Sequence, residues 1–191
     1  YMLCAQFNSR TGYAALRINH GDEAYKEVAI ANWMGASPVY TRRMQKAMGF
    51  AGGTDVATIF KGLQLECGFT HQYFDVHFEV SSANNGRFWL NSCGALLETE
   101  PRGPDAVKVM CHDIEDPTFN ATAIATNARA RMVPVHRPPR VPANREPHCE
   151  WTVSIDPAAE EVTEPEITRV MSRTRLANIV IPRPKSTQSG L

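Results

Sequence analysis

The chain has 191 residues, and its 20 Lys plus Arg balance 20 Asp plus Glu, so the formal net charge is zero. That balance sets up no global field for nucleic acid or a membrane surface, and no apolar run reaches the roughly 20 residues of a membrane span. Hydrophobic residues at 43% and charged residues at 21% are a globular composition, in a chain long enough to bury a core without disulfides.

Residues 1–20 show little apolar periodicity. The stretch 22–34 (DEAYKEVAIANWM) reads as a helix with acids in its first turn, where they favour the macrodipole. Ser37-Pro38 then predicts an N-cap followed by Pro at the first helical position, with Gly49 closing that helix. Thr54 predicts a third N-cap. Behind it Val56, Ile59, Phe60, Leu63 and Cys67 share one stripe, and Gly68 ends the helix. Three short helices are therefore expected before residue 70.

The period changes to two at HQYFDVHFEV (71–80). Phe74, Val76, Phe78 and Val80 take one face; His71, Tyr73, Asp75, His77 and Glu79 take the other. Asn84-Asn85-Gly86 predicts a turn, and 86–93 the returning strand of a hairpin. Residues 104–112 predict a short helix that puts Cys111 near its end. Pro117 disfavours helix at Asp116, so Asp113, Glu115 and Asp116 read as a helix stop. Carboxylates there oppose the dipole and call for a cation beside them. Residues 128–135 predict a strand, 137–147 a surface loop with four Pro and three Arg, and 148–156 a strand. On that last strand Cys149, Trp151, Val153 and Ile155 share a face. Thr163 to Glu166 then forms a capping-box pattern before a helix of about three turns, followed by NIVIP. The expected architecture is α+β. A helical part (1–69) packs on a small, mostly antiparallel sheet (70–156), and 157–191 is a docking tail.

The five cysteines, Cys4, Cys67, Cys93, Cys111 and Cys149, are odd in number and widely spaced. That predicts free thiols in a reducing, cytoplasmic setting. Cys93, Cys111 and Cys149 each sit at the end or start of a predicted element. Thiolate is a soft ligand, so the three suit zinc, iron or an iron–sulfur cluster; the alternative is three buried core thiols. Cys111 is the nucleophile candidate, because a protonated His112 beside it would lower its pKa. Adjacent residues on a helix do not face each other, however. Asp75 and His77 lie about 6.6 Å apart on one strand face, within reach of one metal if His112, His136 or His148 joins them. The alternative is a solvated strand face. Arg129, Arg131, Arg137, Arg140 and Arg145 offer guanidinium forks for a carboxylate or phosphate, or else line a solvated loop. No aromatic residue interleaves them, which weakens a single-stranded nucleic-acid reading. There is no Gly-rich phosphate loop and no GxSxG.

FWLNSCGALLETEP, VMCHDIED and PHCEWTVSID, within residues 85–156, resemble the L-2-amino-thiazoline-4-carboxylic acid hydrolase family. More distantly they resemble ligand-binding domains of the 4-vinyl reductase type. The first resemblance implies opening of a small heterocycle by water; the second implies a zinc held by cysteines beside an apolar pocket. Together these expectations describe a hydrolase or hydratase acting on a small heterocyclic or hydrophobic acid. Its metal or iron–sulfur centre would sit on Cys93, Cys111 and Cys149, with His112 and Cys111 catalytic and Arg129, Arg131, Arg137 and His77 toward the substrate. The alternative is a non-catalytic binding or accessory subunit with a structural zinc. No nucleic acid or membrane partner is expected. The tail predicts a homo-oligomer or a place in a larger complex.

Overall fold

The computed structural model describes residues 2–71 and 73–180, without the side chains of residues 2–6 and Cys67. The apolar-stripe role of Cys67 and the end of the NIVIP stretch, Ile181 and Pro182, lie outside the described residues.

Where two helices and an unpatterned start were expected, there is one long element, α1 (Met2–Met48), kinked at Gly21 (φ 87°, ψ 174°). A Cβ at Gly21 would meet nothing within 4 Å, so it is the positive φ that asks for glycine. Pro38 lies inside this helix instead of starting one. Its missing N–H leaves the carbonyl of Met34 without the usual partner. The hydroxyl of Thr168 donates to that carbonyl at 2.6 Å. Ser37 is not a cap; its hydroxyl meets that of Thr122 at 2.9 Å in a buried contact. Tertiary partners thus satisfy the two groups that made Ser-Pro look like a helix start.

Helix α2 (Val56–Leu65) is capped by Asp55, one residue after the expected Thr54. The Asp55 carboxylate accepts from the Thr58 N–H at 2.8 Å. Gly68 lies in a separate 3₁₀ turn, Cys67–Phe69, where its N–H donates to Glu66. Strands β1 (Phe74–Ser82) and β2 (Asn85–Cys93) form the expected hairpin, turning at Ala83 and Asn84. A Cβ at Gly86 would stand 2.7 Å from the Glu79 carbonyl and 2.7 Å from the Phe60 ring. This glycine lets α2 close on the hairpin.

After β2 come α3 (Gly94–Thr99) and α4 (Pro104–Lys108), then a π-helical turn, Val109–Ile114, that runs straight into α5 (Glu115–Ile124). The expected helix stop at Asp113 to Asp116 is therefore corrected. Glu115 and Asp116 sit inside a helix that runs on to Ile124, so they are not at a C-terminal end and oppose no dipole there. Pro117 fits because the preceding turn is already widened to i→i+5 bonding, which relieves the clash of its ring with the chain four residues back.

Strands β3 (Ala130–His136) and β4 (Cys149–Ile155) complete one sheet in the order β1-β2-β4-β3, antiparallel throughout. The fold is α+β, as the change of period from helical to two implied. The inner sheet face carries Phe74, Val76, Phe88, Leu90, Trp151 and Val153, packed against Ile59, Phe60 and Leu63 of α2 and Phe119 of α5. Phe88 and Trp151, both 0% exposed, stack in parallel at 6.2 Å. On the edge strand β3, Met132 gives its N–H to Asn120 (3.0 Å) and takes the Asn120 amide N–H on its carbonyl (3.2 Å).

The capping box Thr163 to Glu166 does not form. Helix α6 (Glu166–Ser172) is capped by Pro165 without a side-chain bond and runs two turns, not three. It lies on α1: ideal Cβ geometry at Gly35 comes within 3.0 Å of Met171 and 3.1 Å of Ile167. Arg42 pairs with Glu164, and Arg43 donates to the carbonyls of Ala177 and Ile179. Among the described residues no helix is long and apolar enough to cross a membrane.

Candidate functional site

A cavity of about 330 Å³ lies between α1, the inner sheet face, α3 and the π-helical turn. Trp33, Phe69, Phe74, Leu90 and Phe119 give it apolar walls, and Cys93, Cys149 and Glu115 reach it from three different elements. The π turn explains how Glu115 arrives there. In a regular α-helix, positions five apart diverge by about 140°. The i→i+5 turn stacks residue 115 over residue 110, so Met110, Ile114 and Glu115 all line the cavity.

Glu115 is 8% exposed, and its Oε2 has no hydrogen-bond partner. Burial pushes its pKa up to about 8; the Arg137 guanidinium opposes the rise and the Asp116 carboxylate adds to it. A carboxyl in that range exchanges its proton near neutral pH.

Of the three cysteines, Cys93 and Cys149 line the cavity and Cys111 does not. Cys93, Cys111 and Cys149 are free and buried, and each feels the charge of Glu115. Burial is the first cause of a raised pKa in all three, with Cys93 pushed up to about 12. These thiols are protonated at neutral pH. Cys93 also caps α3, its sulfur accepting from the Leu96 N–H at 3.4 Å. The donor set, three thiols and a carboxyl, has the chemistry of a zinc site. The side chains do not fit one as placed, because among the described residues no three His, Cys, Asp or Glu groups come together as a metal ion requires.

His112 does not assist Cys111. Its Nε2–H donates to the Pro138 carbonyl at 2.6 Å, away from the cavity wall, and the lowering of the Cys111 pKa expected from it is replaced by a rise. His148 accepts the Cys93 N–H on Nδ1 at 3.1 Å, and burial, then Arg140, lowers its pKa. It is a neutral imidazole that fixes the end of β2. His77 sits on the outer sheet face, 3.0 Å from Asp75 and 2.9 Å from Asn91, stacked on Trp89 at 5.5 Å. His136 lies 4.0 Å from Glu150. Among the described residues the Asp75–His77 pair gains no third ligand.

The predicted arginines also lie elsewhere. Arg129 holds the Ala159 carbonyl (3.0 Å) and Glu161 (2.7 Å), and Arg131 holds the Ala130 carbonyl (2.7 Å). Arg140 grips Glu100 with two bonds of 2.9 Å. Arg137 pairs with Asp116 and lies 5.8 Å from the Trp151 ring centre. Three other guanidiniums line the cavity, toward its exposed side: Arg10, Arg17 and Arg102. Arg10 pairs with Glu98, Arg17 with Asp22 at 3.0 Å, and Arg102 shares Asp22 at 3.5 Å. The cavity therefore carries three guanidiniums, with the carboxylates of Glu98 and Asp22 paired to them and Glu66 also in its lining. Sequence reasoning missed these arginines because their segments carry no motif. It also missed Glu115, which stood in a polar group that resembled a solvated turn. No protein-family model, curated protein or solved structure matches the chain.

Proposed function

We propose that this protein is a hydrolase or hydratase acting on a small heterocyclic or hydrophobic acid inside the cavity, with Glu115 as its acid–base group. One observation carries the reading: a buried carboxyl with an unpartnered oxygen, facing an apolar cavity, whose proton affinity lies close to neutrality. Aromatic walls suit a flat apolar ring. Arg10, Arg17 and Arg102 in the lining offer guanidinium forks that suit the carboxylate of an acid substrate. As ionised Glu115 takes a proton from water, the water oxygen bonds to the electrophilic ring carbon. The same carboxyl then returns that proton to the ring atom whose bond to the carbon breaks. The likeness of residues 85–156 to the thiazoline-carboxylate hydrolases supports ring opening by water. No step passes through a metal. The free, buried cysteines suit a reducing, cytoplasmic setting. Because Thr168 and Met171 are engaged on α1, partnership through the tail falls to its outward side and to residues past Val180.

A second reading, a ligand-binding module without catalysis, is favoured by the protonated state of all three thiols, which leaves the cavity with no ready nucleophile. One experiment separates the two. L-2-Amino-thiazoline-4-carboxylate and a panel of small heterocyclic carboxylates are incubated with the protein, with binding followed by calorimetry and ring opening by NMR. Turnover that drops about 100-fold or more in Glu115→Gln supports the enzyme. Binding without turnover supports the module, and no binding by any member of the panel refutes both.

A further inference from the structure

Strand β1 forms one edge of the sheet, and among the described residues only β2 pairs with it. The Glu79 carbonyl points toward β2, where it stands 2.7 Å from the Cβ position of Gly86. Register is regular from Val76 to Val80, and backbone groups alternate between the two sides of a strand. The N–H and C=O of Val76, Phe78 and Val80 therefore point away from β2. Among the described residues no backbone group bonds to them from that side. Every residue from Glu79 to Ser82 is exposed. Val80 keeps 49% of its surface in water, and Phe78 is half-buried, its ring centre 5.2 Å from that of Phe60. Neither Pro nor Lys, the usual guards of an edge, occurs in β1. Unpaired backbone and partly uncovered apolar side chains thus lie along the same line.

We propose that β1 is a dimer interface, on which β1 of a second copy pairs antiparallel about a two-fold axis at Phe78 and joins the two sheets into one. The charges select the register. Centred on His77, the pairing would set Asp75 against Glu79 of the second copy; centred on Glu79, it would set that carboxylate against its own copy. Centred on Phe78, it sets His77 against Glu79 of the second copy and Val80 against Val76. The outward backbone groups of Val76, Phe78 and Val80 then face one another and bond in pairs. On the inner face Phe78 meets its own copy and Val80 gains an apolar neighbour. On the outer face the new His77–Glu79 contact links two existing pairs, Asp75–His77 at 3.0 Å and Glu79–Arg87 at 2.8 Å. The strand is complementary to itself, so the occupant is a second copy and not an unrelated extended peptide. None of Val76 to Ser82 lines the cavity, so the interface is independent of what the cavity binds.

The test is sedimentation equilibrium of the full-length chain across about 1–200 µM, a range that resolves micromolar dissociation constants. The native chain is expected to reach twice the mass of one chain. Val80→Lys puts a guard charge on the edge without touching the core and is expected to weaken the dimer at least about tenfold, with an unchanged circular dichroism spectrum. The register is read by oxidative cross-linking. Phe78→Cys stands opposite its own copy and is expected to form a covalent dimer. In Val80→Cys the two thiols lie about 14 Å apart along the strands, too far for a disulfide, and the yield is expected to stay at the native background. A chain that is monomeric throughout the range overturns the proposal and leaves the edge to a different partner. A dimer that Val80→Lys does not weaken overturns it too, as does cross-linking of Val80→Cys above that of Phe78→Cys. If Phe78→Cys fails to fold, Val80→Lys decides alone: a dimer of native strength overturns the proposal.

Discussion

Substituting Glu115 by Gln keeps the shape of the side chain and removes its titration, and the consequence for stability can be worked out with its sign. In the unfolded chain the carboxyl ionises near its ordinary value of 4.5, whereas in the folded protein it does so at about 8. Between those values the folded state holds a proton that the unfolded state has released. The contribution of Glu115 to stability is therefore fully present below pH 4.5 and is lost as the pH rises through 8. At about 1.4 kcal/mol for each tenfold change in proton affinity, the lift from 4.5 to about 8 amounts to about 5 kcal/mol. That is comparable to the whole stability of a typical domain. Urea unfolding, followed by tryptophan fluorescence because Trp151 is fully buried, measures the effect at steps from pH 4.5 to 9. The stability difference between the native chain and Glu115→Gln is expected to change steadily across the window, at up to about 1.4 kcal/mol per pH unit. His136 and His148, whose pKa values burial lowers, act in both chains and cancel in the difference. A difference that stays flat within about 1 kcal/mol from pH 5 to 8 would refute the buried, unpartnered carboxyl on which the site is built.

Other outcomes follow from single contacts. Thr168→Ala leaves the Met34 carbonyl, already deprived of an N–H by Pro38, without a partner, and is expected to destabilise by about 1–3 kcal/mol in chemical denaturation. The loss should shrink in a Pro38→Ala background; an equal loss in both backgrounds sinks the explanation. Gly86→Ala pushes a methyl to within 2.7 Å of the Glu79 carbonyl and is expected to cost about 1–3 kcal/mol by the same measurement. Site-resolved mass spectrometry after iodoacetamide treatment should find Cys93, Cys111 and Cys149 unmodified in the native protein at pH 7.5 and fully modified in urea; rapid native labelling would contradict their buried, protonated state. Elemental analysis of protein purified without added metal is expected to give well under one equivalent of zinc or iron. One equivalent that vanishes on Cys111→Ser would overturn the judgement that these thiols do not fit an ion.

The sheet was legible because alternation is a local signal. Phe74 and Val76 face inward as the period of two required, and Cys149, Trp151, Val153 and Ile155 line one buried face. Helix limits were less legible, since they depend on partners far away in sequence. Ser37 and Pro38 look like a helix start until Thr122 and Thr168 satisfy the groups that they leave open. The candidate site was legible only in part. Matching element ends singled out Cys93 and Cys149, which line the cavity, but not the carboxyl of Glu115 that lines it with them. Glu115 is drawn inward by a single widened turn, and a π turn has no composition of its own. Pro117, read as a breaker, is instead the residue that this turn accommodates.

Strand β3 is an outer edge of the sheet, and such edges invite pairing with another chain. Here the invitation is withdrawn. Asn120 occupies both backbone groups of Met132, and Pro134, two residues on, has no N–H to offer. A second copy cannot extend the sheet across this edge without first dislodging a helix side chain. Among the described strands, continuous-sheet assembly, and the fibril growth that begins in the same way, is left to β1.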